Sequence, residues 1–195
     1  MKIVSEGAEA LIYSADLYGT EILVKYRAPK TYRVKELDES IRKARTKKEA
    51  KLMVKAAEHG VNVPKIIGVG EASIYLERLD GKLLKDIKIS KDMSSKAGEQ
   101  LGRLHNAGIT HGDFTPANLI SMEGEVWIID FGLAESTSSS EERALDVLLM
   151  KRQLDADCYL HFARSYSATA KSGKETMMRL DSIEERGRYQ VRTLS

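Results

Sequence analysis

His111-Gly112-Asp113-Phe114-Thr115-Pro116-Ala117-Asn118, followed after a strand-sized gap by Ile128-Ile129-Asp130-Phe131-Gly132, is the stretch whose reading decides the fold. It sets a carboxylate at 113, an amide five residues on and a second carboxylate beside an apolar strand. Phosphoryl transfer needs that set. One carboxylate, Asp113, orients the entering hydroxyl or water, while the amide oxygen of Asn118 and the carboxylate of Asp130 reach a Mg²⁺ that bridges the phosphates. An isolated Asp-Phe-Gly is most often only a turn. In this order, between a helix and an apolar strand pair, the three residues point to a nucleotide site.

Working outward, the same pattern resembles the catalytic loop and metal-binding motif of the protein kinases. Lys25, in Leu23-Val24-Lys25, stands in the context of the strand lysine that contacts the α- and β-phosphates. Glu49, Leu52, Met53 and Ala56 fall at i, i+3, i+4 and i+7, which places Glu49 on a buried helical stripe. A buried carboxylate requires a cation, and Lys25 is the expected partner. Asp113, Lys25 and Glu49 are therefore the catalytic candidates, with Asn118 and Asp130 as metal ligands.

Glu6-Gly7-Ala8-Glu9-Ala10 occupies the place of a phosphate-covering loop, with Gly7 and Ala8 small enough for backbone N–H groups to approach phosphate oxygens. An ordinary hairpin is its other reading. Leu76-Glu77-Arg78-Leu79 matches an interlobe linker whose backbone bonds adenine, and Val4, Ile120 and Ile129 would touch the base. ATP and Mg²⁺ are the cofactors implied. Gly112 stands where many kinases carry arginine, Thr115 where many carry lysine, and no Ala-Pro-Glu follows. With 63 residues after Gly132, the expectation is a reduced second lobe without loop-phosphorylation control or a peptide groove.

The rest of the chain reads as α+β. Strands are expected at Lys2 to Val4, Leu11 to Leu17 and Glu21 to Tyr26, with a turn at Tyr18-Gly19, giving an antiparallel meander. A helix is expected from Glu36 to Glu58, stopped at His59-Gly60. Two more strands, Pro64 to Val69 and Ala72 to Leu76, lead to a break at Asp80-Gly81. Beyond it, Ser90 caps a helix with Ala97, Leu101 and Leu104 on one face, and Ser140 caps another carrying Leu145, Leu148 and Leu149. Strands at Leu119 to Ser121 and Val126 to Ile129 lie between them, and Ser136 to Ser140 reads as a solvated loop. The expectation is one kinase-like domain over 1–195, bilobal, with an antiparallel-sheet N-lobe to about 79 and a helical C-lobe from about 80.

Length and composition agree with one compact unit: 195 residues, 42% hydrophobic, 31% charged, with a net charge of +2. One cysteine, Cys158, excludes an internal disulfide, and His59, His105, His111 and His161 lack zinc-ligand spacing. No apolar stretch approaches a membrane span, so a cytoplasmic protein with no membrane partner is expected. Basic residues cluster. Between Arg27 and Lys55 there are eleven basic residues against four acidic ones, a local +7 that suits either a solvated helix face or an RNA-contacting surface.

Nearly the whole chain resembles the small atypical kinase of the KEOPS complex, the PRPK-type subunit of the machinery that makes threonylcarbamoyladenosine in tRNA. The likeness rests on Glu6 to Ala10, Val24-Lys25-Tyr26-Arg27, Pro29-Lys30, Tyr32-Arg33 and Leu37-Asp38. It continues through Glu49-Ala50, Gly60-Val61, Val63-Pro64, Leu104 to Gly108, His111 to Asp113, Asp130 to Leu133 and Ala144-Leu145-Asp146. The resemblance implies the roles given above for Lys25, Glu49, Asp113, Asn118 and Asp130, and a role for Asp146 in steadying the catalytic loop. It implies ATP hydrolysis in support of tRNA modification, with serine/threonine phosphorylation as a weaker capacity. Implied partners are the threonylcarbamoyl-transferase subunit facing the cleft, a small subunit on the N-lobe, and tRNA through the assembly. Pro116-Ala117 and the shortened basic tail motif at Arg186 to Gln190 depart from the family pattern. A free-standing serine/threonine kinase or a small-molecule phosphotransferase is the alternative.

Overall fold

Short runs rich in branched and aromatic residues build the first part of the chain into strands, and a computed structural model, which describes residues 2–7 and 10–192, shows how they pair. β1 (Lys2–Glu6), β2 (Leu11–Leu17) and β3 (Thr20–Tyr26) form the expected antiparallel meander. Tyr18 and Gly19, at φ 52° and 83°, take the left-handed conformation that turns β2 into β3. β4 (Ile66–Val69) and β5 (Ser73–Glu77) complete a five-stranded sheet in the order β1-β2-β3-β5-β4. α1 (Lys35–Glu58) crosses from the sheet toward the second lobe. Its buried stripe, Glu49, Leu52, Met53 and Ala56, is the one the heptad-like spacing selects.

The second lobe begins with β6 (Lys82–Leu83) and α2 (Lys91–Asn106), whose Ser90 cap accepts from the Met93 amide at 3.2 Å. β7 (Ile109–Thr110), β8 (Leu119–Met122) and β9 (Glu125–Ile128) follow, with β8 between β6 and β9 in a small sheet. β10 (Glu135–Ser136) pairs back onto β7 and leads into α3 (Ser140–Lys151), α4 (Ala156–Thr169) and α5 (Gly173–Arg192). Leu52, Met53 and Ala56 share one hydrophobic core with Leu101, Leu104, Phe114, Phe131 and Phe162, so apolar packing is continuous from the base of α1 through the C-lobe.

Three sequence expectations are corrected. Ser139, not Ser140, caps α3, because its hydroxyl lies 3.3 Å from the Glu142 amide. The face that α3 buries is Ala144, Val147, Leu148 and Met150, whereas Leu145 is 45% exposed. Arg143 and Asp146 are buried beside that apolar stripe, and their polarity obscures the helical period. The solvated-loop reading of residues 136–140 also gives way in part, since Ser136 belongs to β10 and Ser140 to α3.

The closest helix packing falls at two glycines. A Cβ on Gly98 would lie 2.3 Å from the carbonyl oxygen of Phe162, and one on Gly102 would lie 2.8 Å from Thr169 Cβ, so α2 and α4 approach nearly backbone to backbone. Alanine at 98 gains up to about 1 kcal/mol of helix propensity. It also forces two helices apart against fixed backbone atoms, which costs about 1–3 kcal/mol or more. The expected outcome for Gly98→Ala is a net loss of stability in chemical denaturation, and a higher midpoint would contradict this account of the α2–α4 contact.

Candidate active site

On β3, residues two apart share a face, and the backbone pairing continues past the strand through the Arg27 amide to Ala72 O at 2.9 Å. Lys25 and Arg27 therefore both turn under α1. Lys25 Nζ donates to Glu49 Oε1 at 2.6 Å, and an Arg27 guanidinium nitrogen donates to Glu49 Oε2 at 2.6 Å. All three side chains are buried. The Lys25 ammonium also donates to Asp130 Oδ1 at 2.6 Å, so the charges alternate along Arg27, Glu49, Lys25 and Asp130.

Asp130 follows β9 with φ 61°, a left-handed conformation that aspartate tolerates better than most residues. Its Oδ1 also accepts from the Gly132 amide at 3.0 Å. Desolvation pushes this carboxyl upward, but the Lys25 charge and the hydrogen bonds from Lys25 and Gly132 outweigh it and hold the group below its ordinary value. Asp130 is thus ionised at neutral pH.

Opposite it, the loop from 111 to 118 is pinned at several points. Asn118 Nδ2 donates to Asp113 O at 2.9 Å and to Asp113 Oδ2 at 2.8 Å, so the amide nitrogen faces Asp113 and the amide oxygen is the atom offered to a cation. The Asn118 carbonyl accepts from the Ile129 amide at 2.9 Å, tying the loop to the end of β9. His111, fully buried between Phe114 and Phe131, lies 3.1 Å through Nε2 from Ile129 O, and its Nδ1 accepts from the Asp113 amide at 3.3 Å. That pair of bonds fits a neutral imidazole with the proton on Nε2. Gly112 has φ 77°, and a Cβ there would sit 2.6 Å from Leu133 O, which gives a steric reason for glycine at this position.

Beneath the loop, Asp146 of α3 takes the His111 amide at 2.7 Å on Oδ2 and the Gly112 amide at 2.8 Å on Oδ1. His105 Nε2 lies 3.2 Å from Oδ2, and His105 Nδ1 lies 2.8 Å from the Tyr166 hydroxyl. Burial lowers the His105 pKa despite the opposing pull of Asp146, so the ring is neutral at neutral pH, donating to Asp146 and accepting from Tyr166. Burial likewise raises the Tyr166 hydroxyl to about 12.

A cavity of about 300 Å³ opens between the lobes, lined by Gly7, Lys25, Arg27, Asp113, Asp130 and Leu133 among others. It gathers Lys25, Asp113 and Asp130. The adenine-side candidates Leu76, Glu77, Leu79, Ile120 and Ile129 are partly buried but not among its walls, and Val4 is exposed. Leu76 and Glu77 belong to β5, where Glu77 is tied to Lys65 through its amide and its carboxylate. Ala8 lies outside the described residues, as do the side chains from Gly187 to Gln190 of the tail motif. The basic stretch is substantially paired: Arg33 and Arg42 with buried Asp38, Lys43 with Glu71, and Lys48 with Glu135. A carboxylate and an amide oxygen fit Mg²⁺, which coordinates hard oxygens and completes its shell with phosphates and water.

A model of the RIO domain matches residues 22–172. The KEOPS complex subunit Bud32 of Pyrococcus abyssi is 37% identical, the match covering 99% of this chain and 98% of that protein. This chain belongs to the Bud32 branch of the RIO-domain family. A probable serine/threonine-protein kinase BUD32 homolog of Archaeoglobus fulgidus is 41% identical over 86% of this chain and 88% of its own length. In Methanosarcina barkeri, a probable bifunctional tRNA threonylcarbamoyladenosine biosynthesis protein is 35% identical over 96% of this chain, which spans only 36% of that longer protein. Among solved structures, the Rio2 kinase–ADP/Mg²⁺–phosphoaspartate complex of Chaetomium thermophilum superposes with a TM-score of 0.67 at 18% identity, covering 97% of this chain and 72% of that one. WaaP in complex with acyl carrier protein gives 0.67 at 14% identity, covering 96% and 88%. The kinase-like α+β fold read from the sequence is thereby established. Within the Bud32 branch, sequence reading assigned no role to Arg27, although its position two residues after Lys25 on one strand face is the signal that could have found it.

Proposed function

We propose that this chain is an ATP-dependent phosphotransferase that acts mainly as an ATPase inside a KEOPS-type assembly supporting threonylcarbamoyladenosine formation in tRNA, working as a single two-lobed domain. The observation that carries it is the convergence of Lys25, Asp113 and Asp130 on one cavity, with Glu49 and Asn118 bonded directly behind them. Lys25 would turn its ammonium toward the phosphate oxygens of ATP. Asp130 and Asn118 would hold Mg²⁺, which would supply positive charge to offset the negative charge developing on the transferred phosphoryl group. Asp113 orients the entering oxygen and receives its proton.

Water rather than a peptide hydroxyl is favoured as the entering group by the segment after Gly132. Only residues 133–139 separate it from α3, with Glu135 and Ser136 paired to β7 and Glu135 bonded to Lys48. Such a segment offers little backbone to align a substrate peptide, and alignment is a large part of what kinases contribute. The partners proposed are the threonylcarbamoyl-transferase subunit at the cleft, a small subunit on the N-lobe, and tRNA through the assembly. The setting proposed is the cytoplasm; among the described residues no helix is long and apolar enough to cross a membrane.

The relative named as a probable serine/threonine kinase supports the alternative, a free-standing kinase. The test is phosphate release and peptide labelling, with and without the transferase partner and tRNA. Hydrolysis should rise severalfold when the partner and then tRNA are added, while peptide labelling stays low. Efficient peptide phosphorylation by the chain alone, with hydrolysis indifferent to both additions, would select the free-standing kinase.

A further inference from the structure

A lone Lys25–Glu49 pair would leave the second oxygen of a buried carboxylate without a cation, and Arg27 supplies one. Glu49 is 3% exposed and divides its two oxygens between Lys25 and Arg27, each at 2.6 Å. Lys25 in turn is divided between Glu49 and Asp130. When the lysine directs its protons to a nucleotide's phosphates, its hold on Glu49 weakens at the moment when Glu49 must still position it. A buried carboxylate that loses its cation is strongly destabilised and swings or takes up a proton.

We propose that Arg27 is a positioning residue for the Lys25–Glu49 pair, clamping Glu49 through its second oxygen so that α1 stays docked on β3 throughout turnover. The geometry suits this. Lys25 lies on β3 and Arg27 one residue past its end, where the amide bond to Ala72 O keeps the two side chains on one face, and the guanidinium is held by Glu49 and 4% exposed. Its nitrogen also comes within 3.7 Å of the Cβ position of Gly132, so it reaches the floor of the cavity beside Asp130. The cation that holds the carboxylate therefore lies two residues along the chain from the phosphate-binding lysine. Docking of α1 is then built into β3 and the residue that follows it. No modification of the short segment 133–139 is needed to bring Glu49 inward.

In the turnover arm this inference rests on the proposed ATPase reading, so a second arm is independent of activity. Arg27→Met keeps an unbranched apolar stem and removes the charge, and Arg27→Lys restores a cation with less reach. In the turnover arm, Arg27→Met should lower kcat about ten-fold or more with KM for ATP changed little, Arg27→Lys should recover part of the loss, and Arg27→Met should add nothing in a Glu49→Gln background. In the second arm, amide hydrogen exchange should speed up in the α1 turn around Glu49 in Arg27→Met, with α2 and α4 unchanged. A structural filler would lower stability everywhere and add its effect to that of Glu49→Gln. Unchanged exchange around Glu49, or additivity with Glu49→Gln, overturns the clamp. If the wild-type chain and its complex hydrolyse no ATP, the functional reading fails alone, and the exchange arm still decides the role of Arg27.

Discussion

Asp113→Asn should bind Mg·ATP within about two-fold of the parent and lose roughly 10²–10⁴ in turnover, the range expected when a proton-accepting carboxylate is removed. Asn118 donates to Asp113 Oδ2 at 2.8 Å and to the backbone carbonyl at 2.9 Å, and asparagine at 113 can present an oxygen to the same amide. The loop should keep its shape. Asp130→Ala acts on a different step. It removes the proposed metal ligand and a partner of Lys25, so productive Mg·ATP binding should fall more than ten-fold and turnover with it. Alanine also tolerates φ 61° poorly, so Asp130→Asn serves as the control that keeps the backbone and removes the charge. Binding is readable by calorimetry and by fluorescence of Trp127, the single tryptophan, which pairs across the sheet with Ile120. Two mutants that bind alike, whether both well or both poorly, would break the division of labour between Asp113 and Asp130.

The elements legible in the sequence are those whose residues face one environment along their length. β2, β3 and α2 show it: a run of branched and aromatic residues closed by a turn, or a stripe such as Ala97, Leu101 and Leu104, is enough to place them. The α1 stripe was legible although it carries a carboxylate, because Leu52, Met53 and Ala56 fix the face on which Glu49 must lie. α3 was harder. Its buried face mixes Arg143 and Asp146 with Ala144 and Val147, and those polar residues are buried only because of partners far away in the chain, such as His111 and Thr176. β6, β7 and β10 are two residues each, defined by pairing with distant segments, so local sequence has too little length to announce them. The same holds within the site. Lys25, Asp113, Asn118 and Asp130 come from motif spacing, whereas the bonds of Arg27 to Glu49 and of His105 to Asp146 join residues far apart in the chain, and spacing from Lys25 alone says only which face Arg27 shares.

Asp146→Asn should cost more stability than any single substitution inside the cavity, about 3 kcal/mol or more, and loosen the loop that carries Asp113. The carboxylate is 1% exposed and receives the His111 amide, the Gly112 amide and His105 Nε2 on two oxygens. Asparagine has one oxygen. Its amide nitrogen must face at least one of those donors, leaving a buried N–H without an acceptor beside another N–H. His105 adds a pH dependence. The folded protein holds His105 neutral with a depressed pKa, while the unfolded chain protonates near 6.5. Below that pH the unfolded state binds a proton that the folded state resists, so stability falls as pH drops, and His105→Gln should flatten that part of the acid limb. Measured by urea denaturation between pH 8 and 5, Asp146→Asn should show a lower midpoint across the whole range, with turnover reduced in step. Asp113→Asn should keep the parent's midpoint while losing turnover. If Asp146→Asn instead retains full stability and loses only activity, Asp146 acts on the chemistry directly and the loop is held by something other than these three hydrogen bonds.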